Sequence, residues 1–148
     1  MTKTEMLEAV VAAKDIHKKE MEKIENIIKG KSVEEPTALG KMECACGQWF
    51  YANEDMMKKI LGHQLFDRLD KTHEKWHKDY SRVYEIYQNH KQRQSGFFSK
   101  IINKNMDALE YDKLKLYYKE LSQITDELFR EADAAIRRIT ALQESKFK

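Results

Sequence analysis

The sequence is short of the residues that interrupt helices and of those that staple small folds. Its 148 residues include one Pro, five Gly and two Cys. Such scarcity of breakers points to long, uninterrupted helices with few turns. Two cysteines one residue apart cannot frame a fold, and a bridge between them would close a very small ring, so ligands or reactive thiols are expected instead of a structural disulfide. No apolar run approaches the ~20 residues needed to cross a bilayer. Neither sign of charge is in excess: 27 Lys and Arg stand against 25 Asp and Glu, giving a net charge of +2. With both signs interspersed there is no basic footprint for nucleic acid or for a membrane surface. The opening stretch MTKTEMLEAVVAAKDIHKKE lacks the apolar core of a secretory signal, so a cytoplasmic protein is expected.

What is present is charge and amphipathic periodicity. Charged residues make up 35% of the chain and hydrophobic ones 41%, a balance that suits narrow apolar stripes beneath long solvated faces. Met6, Val10, Ala13, Ile16, His17, Met21, Ile24 and Ile28 define one face of a helix from about Thr4 to Lys29, which Gly30 should stop. Residues 31–52 hold the only Pro and two of the five Gly and read mostly as loop. Asn53, followed by Glu54 and Asp55, reads as the N-cap of a short helix that Gly62 ends. A third helix runs from about Gln64 to Gln94, with a stripe of Phe66, Leu69, His73, Trp76, His77, Tyr80, Tyr84 and Tyr87. Ser95-Gly96 should break it, with Phe97, Phe98, Ile101 and Ile102 beginning the return. The last helix, about 105–145, carries Leu114, Tyr117, Leu121, Ile124, Leu128, Ala132, Ala135, Ile139 and Leu142. Its spacing begins heptad-like and then drifts by one residue, the behaviour of a nearly straight helix in a bundle. The expectation is an all-α protein, an antiparallel four-helix bundle with one short helix and a loop carrying the cysteines, forming one domain over 1–148.

The histidines carry the chemistry. Of five, His17, His73 and His77 lie on apolar stripes, whereas His63 and His90 read as surface residues near helix ends. A core imidazole needs a partner for each ring nitrogen, and one such histidine commonly finds a carbonyl. His73 and His77 are different, because residues four apart project from one helix face and can converge on one ion. Their segment, HEKWH, also spells H-E-x-x-H, which would make Glu74 the general base of a zinc peptidase. That reading asks for a third downstream ligand and a cleft lined by a strand edge, and the chain offers no strand and no obvious cleft. Glu74 and His77 likewise spell the E-x-x-H of di-iron bundles, but the nearest second copy, Asp70 with His73, lies on the same helix. Three histidines with one thiolate from the segment 43–51, ECACGQWFY, make an acceptable tetrahedral zinc set.

These elements, AAKDIH, CACGQWFY and FDRLDKTHEKWH, resemble in order and spacing the chemoreceptor zinc-binding domain of bacterial cytoplasmic chemoreceptors and diguanylate cyclases. The resemblance covers about residues 9–80. Carried over position by position, it implies that His17, Cys44, His73 and His77 ligate one zinc ion per chain, with Trp49 on the motif's tryptophan. It places Cys46 where the family usually has an apolar residue; a small buried filler is the plain reading, a resolving thiol or substitute ligand the sharper one. It also departs from the family at Glu20, where a Trp is often found. The resemblance further implies a non-enzymatic sensory homodimer that answers to zinc or, through its zinc-bound cysteine, to hypochlorous acid, and signals to a partner such as a chemoreceptor or diguanylate cyclase. The alternatives are a non-haem iron bundle or a helical interaction module with structural histidines.

Overall fold

The computed structural model describes residues 1–31, 33, 40–91 and 108–148, together with the helical backbone of 92–95. Five α-helices occur among the described residues, and no strand: α1 Lys3–Ile28, α2 Ala45–Ala52, α3 Glu54–Leu61, α4 His63–Ser95 and α5 Ala108–Ala141, followed by a 3-10 turn at Glu144–Phe147. The predicted break at Gly96 and return through Phe97, Phe98, Ile101 and Ile102 fall outside the described residues.

Local chemistry sets the helix ends. Thr2 and Glu5 form a reciprocal capping box at the start of α1. Gly30 follows α1 with φ +77°, and Gly62 closes α3 with φ +83°, a left-handed backbone that a side chain would strain. Asn53 precedes α3, yet its side chain does not cap that helix; its amide donates backwards to the Trp49 carbonyl at 2.8 Å.

Side-chain links give the direction of each helix. Lys3 reaches the carbonyls of Thr140 and Leu142, Lys14 pairs with Asp133, and Tyr118 donates to Glu25, so α1 and α5 run antiparallel. Thr72 with Glu131, Trp76 with Thr125 and Arg82 with Glu120 show the same for α4 and α5. The two helices that flank α5 are therefore parallel to each other, and Tyr80 of α4 donates to Glu20 of α1 across the bundle. A parallel pair needs a return path between its members, and the short helices α2 and α3 lie on it. Residues 45–52 are thus helical, which corrects the loop expected there; α2 packs on α1, and α3 on α4 and α5. An eight-residue helix is marginal alone and owes its stability to those contacts.

The core divides in two along the bundle. One cluster gathers Met6, Val10, Phe50, Met57, Ile60, Phe66, Ala135 and Ile139. The other gathers Met21, Ile24, Trp76, Tyr80, Tyr84, Leu114, Leu121 and Leu128. On α1 the seam between them falls at His17, and on α4 it falls around His73. In the second cluster the Trp76 indole donates to the Thr125 hydroxyl at 2.8 Å, which donates to the Leu121 carbonyl at 2.6 Å. Replacing Thr125 by Val keeps the shape but orphans the indole N–H. The expected loss is about 1–3 kcal/mol of unfolding free energy, read by denaturant titration.

Candidate metal centre

At the seam, four side chains from three separate stretches of chain meet. His17 comes from the middle of α1, His73 and His77 from successive turns of α4, and Cys44 from the residue that caps α2. Their ligating atoms all lie within 4.8 Å of one another, and all four residues are buried. The Nε2 atoms of His73 and His77 are 3.0 Å apart, and the Cys44 Sγ is 3.3 Å from His73 Nε2. A tetrahedral zinc shell, with zinc–nitrogen near 2.0–2.1 Å and zinc–sulfur near 2.3 Å, sets its donors about 3.3–3.6 Å apart. The spacing found here needs only small side-chain rotations to meet it.

His17 makes the fit specific. Its Nδ1 lies 2.7 Å from the Ala13 carbonyl, an oxygen that can only accept, so Nδ1 carries the proton and Nε2 the lone pair. Nε2 is buried and has no hydrogen-bond partner among the described residues, a condition that costs about 1–3 kcal/mol unless a ligand takes the lone pair. The ring stands edge-on to Trp76, His73 and His77, with centroids 4.6, 5.1 and 5.7 Å away. Burial pushes this imidazole down to about 4, the Ala13 hydrogen bond working the other way, so it is neutral and ready to coordinate at pH 7.

Cys44 is held in a different way. It is the N-cap of α2, and its sulfur accepts the Gly47 N–H at 3.1 Å, a task that Ser, Thr, Asp or Asn usually performs. A hydrogen bond from the Cys46 thiol, joined by others from His73 and His77, outweighs burial and holds the Cys44 thiol far below its ordinary value. The same bond to Cys44, with burial, pushes the Cys46 thiol up. An anionic sulfur at a helix N-terminus is the form that binds metal and the form that oxidants attack. Gly47 lies inside α2, where an added Cβ would stand 1.6 Å from the Lys41 carbonyl oxygen. Gly47→Ala must therefore displace the turn before Cys44. The expected cost is at least ~2 kcal/mol in denaturant unfolding, with weakened metal uptake.

Cys46 also lines an apolar cavity of about 60 Å³ between α1, α2 and α5, with Trp49, Phe50, Leu128 and Phe129 around it and His17 and His73 at one wall. Glu20 fills its position by accepting the Tyr80 hydroxyl, and Tyr80 stacks on Trp76 with centroids 4.8 Å apart. Glu74 is turned outward, its side chain 47% exposed and 3.7 Å from Lys41, so it does not face the cluster as a peptidase base would. The one group of ligating residues found among the described residues contains no carboxylate, which a di-iron site requires. His63 is exposed at the start of α4, and His90 is half-buried near its end.

Asp70, Lys41 and Tyr51 were not legible as site residues. The Asp70 carboxylate accepts from Lys41 Nζ at 3.0 Å and from the Tyr51 hydroxyl. Burial opposes its charge, but these two hydrogen bonds and the lysine charge outweigh it and hold the carboxyl below the usual range. The sequence signal was the D-x-x-H spacing to His73, which places Asp70 on the same helix face.

With the four residues assembled, comparison with known proteins is informative. A family model described as the chemoreceptor zinc-binding domain matches residues 17–84. Over that stretch the chain is similar to the chemoreceptor zinc-binding domain. The match opens on His17 and runs past His77, so it includes every residue of the cluster. The domain's cofactor is zinc, and the cluster can hold one ion. No match was found among curated proteins or among solved structures. No described helix is long and apolar enough to cross a membrane.

The depressed His17 value has a consequence for the metal-free protein. In the unfolded chain this imidazole takes up its proton near pH 6.5, in the fold near 4. Between those values the unfolded state holds more protons, so the contribution is complete above pH 6.5 and is lost as pH falls towards 4. The loss is on the order of 3 kcal/mol. Denaturant unfolding of chelator-treated protein at pH 7 and pH 4.5 measures it, and the difference should shrink in His17→Leu.

Proposed function

We propose that this domain is a regulatory zinc sensor in which His17, Cys44, His73 and His77 bind one zinc ion. The input is loss of zinc, or oxidation of the Cys44 thiolate by an oxidant of the hypochlorous acid kind; the output is a conformational signal to a partner. The observation that carries the reading is the buried, unpartnered Nε2 of His17, aimed into a cluster of two imidazoles and a thiol. Bound there, zinc would supply a cation that keeps Cys44 ionised and cross-links α1, the 40–44 turn and α4, worth on the order of 10 kcal/mol at neutral pH.

The residues divide the work. The Ala13 carbonyl orients His17, the Gly47 N–H holds the Cys44 sulfur, and α4 presents His73 and His77 from one face. Four protein donors fill a tetrahedron and leave no open position for water, so the domain is proposed to be non-enzymatic. Oxidation of Cys44 to sulfenic acid removes its anionic donor. The attachment of α1 and the 40–52 segment to α4 then rests on apolar packing, the Glu20–Tyr80 hydrogen bond and the contacts of Asp70. That change in attachment is the two-state element that zinc and oxidant would both bias. The whole chain is taken as one domain, cytoplasmic and homodimeric, reporting to a chemoreceptor or a diguanylate cyclase.

Metal analysis of protein purified without added metal tests the reading. It should show one zinc per chain, and His17→Ala or Cys44→Ala should weaken zinc binding by at least ~100-fold. Chelation should speed amide exchange first in α1 and residues 40–52. Iron in place of zinc, or no metal at all, would contradict the proposal.

A further inference from the structure

The turn that presents Cys44 is fastened at both ends of one residue. The Lys41 carbonyl lies 3.5 Å from the Cys44 sulfur and occupies the space any side chain on Gly47 would need. The Lys41 ammonium reaches across to α4, 3.0 Å from Asp70 Oδ1 and 3.7 Å from Glu74, and stands 5.2 Å from the centre of the Tyr51 ring. Tyr51, on α2, donates its hydroxyl to the same Asp70 oxygen. One carboxylate oxygen on α4 thus collects a donor from each side of Cys44, one from the turn before it and one from the helix after it. Asp70 precedes His73 by one helical turn, so these links set the distance between the sulfur and the imidazole nitrogens.

We infer that Asp70 is the positioning residue of the metal centre, fixing the place of the Cys44 sulfur on α4 through Lys41 and Tyr51 before a metal arrives. The inference rests on the ligand set proposed above. Lys41 and Asp70 are 25% and 31% exposed, and a pair so open to solvent adds little to global stability. Its effect is therefore local, seen in metal affinity and thiolate geometry and not in the melting of the fold. Outer contacts of this kind commonly change metal affinity 10–100-fold.

The test uses the full chain with zinc and with cobalt(II) as a spectroscopic probe. Asp70→Ala and Lys41→Met are compared with the unaltered protein and with Asp70→Glu. Chelator competition should show zinc binding weakened about tenfold in the first two, with recovery in Asp70→Glu. The thiolate-to-cobalt charge-transfer band should lose intensity in parallel, while helix content and melting of the metal-free proteins stay unchanged. Lys41→Met, on the surface turn, keeps the test open if Asp70→Ala does not fold. Unaltered affinity and spectrum in both variants would overturn the inference and leave the ligand set standing. So would a fall in affinity accompanied by an equal fall in metal-free stability. An unaltered protein that takes up neither zinc nor cobalt would overturn the ligand set, and this inference with it.

Discussion

A lone pair in a dry core is the constraint around which this domain is organised. The Ala13 carbonyl fixes the proton of His17 on Nδ1, so Nε2 must find a partner, and no donor among the described residues reaches it. The free energy of leaving it unmet is comparable to a sizeable part of the stability of a small domain. Facing it are two more imidazoles and a sulfur, donors that also gain from a shared cation. The arrangement is poor as an apolar core and good as a metal centre.

His17 opposes His73 and His77 halfway along the bundle, where α1 and α4 run side by side in the same sense. Their register is kept by the Glu20–Tyr80 hydrogen bond on one side of the site. The short helices α2 and α3 supply the return, and Cys44 caps the first of them. Helix α5 packs against both long helices and closes the core while giving no residue to the site. The four residues therefore lie where two apolar clusters meet.

The long helices were readable because amphipathic period survives in any context: the stripes on α1, α4 and α5 are the faces found buried. The histidines were readable for the same reason, since imidazoles on an apolar stripe conflict with burial unless something binds them. The helix α2 was not readable. It contains a Cys and a Gly, both weak helix formers, and it stands because Cys44 caps it and because Lys41 can approach Gly47 closely. The role of Asp70 was hidden for a related reason: its partners are 29 and 19 residues away in sequence, and only the fold brings them together. Cys46, assigned as a filler, turns out to border a cavity beside the cluster.

X-ray absorption at the zinc edge of the loaded protein addresses the central claim most directly, because it counts donor atoms without any substitution. Three nitrogens at about 2.0–2.1 Å and one sulfur at about 2.3 Å would match the ligand set His17, Cys44, His73 and His77. Two sulfurs would bring Cys46 into the shell, and outer-shell scattering from fewer than three imidazoles would leave a histidine out; either result would contradict that ligand set.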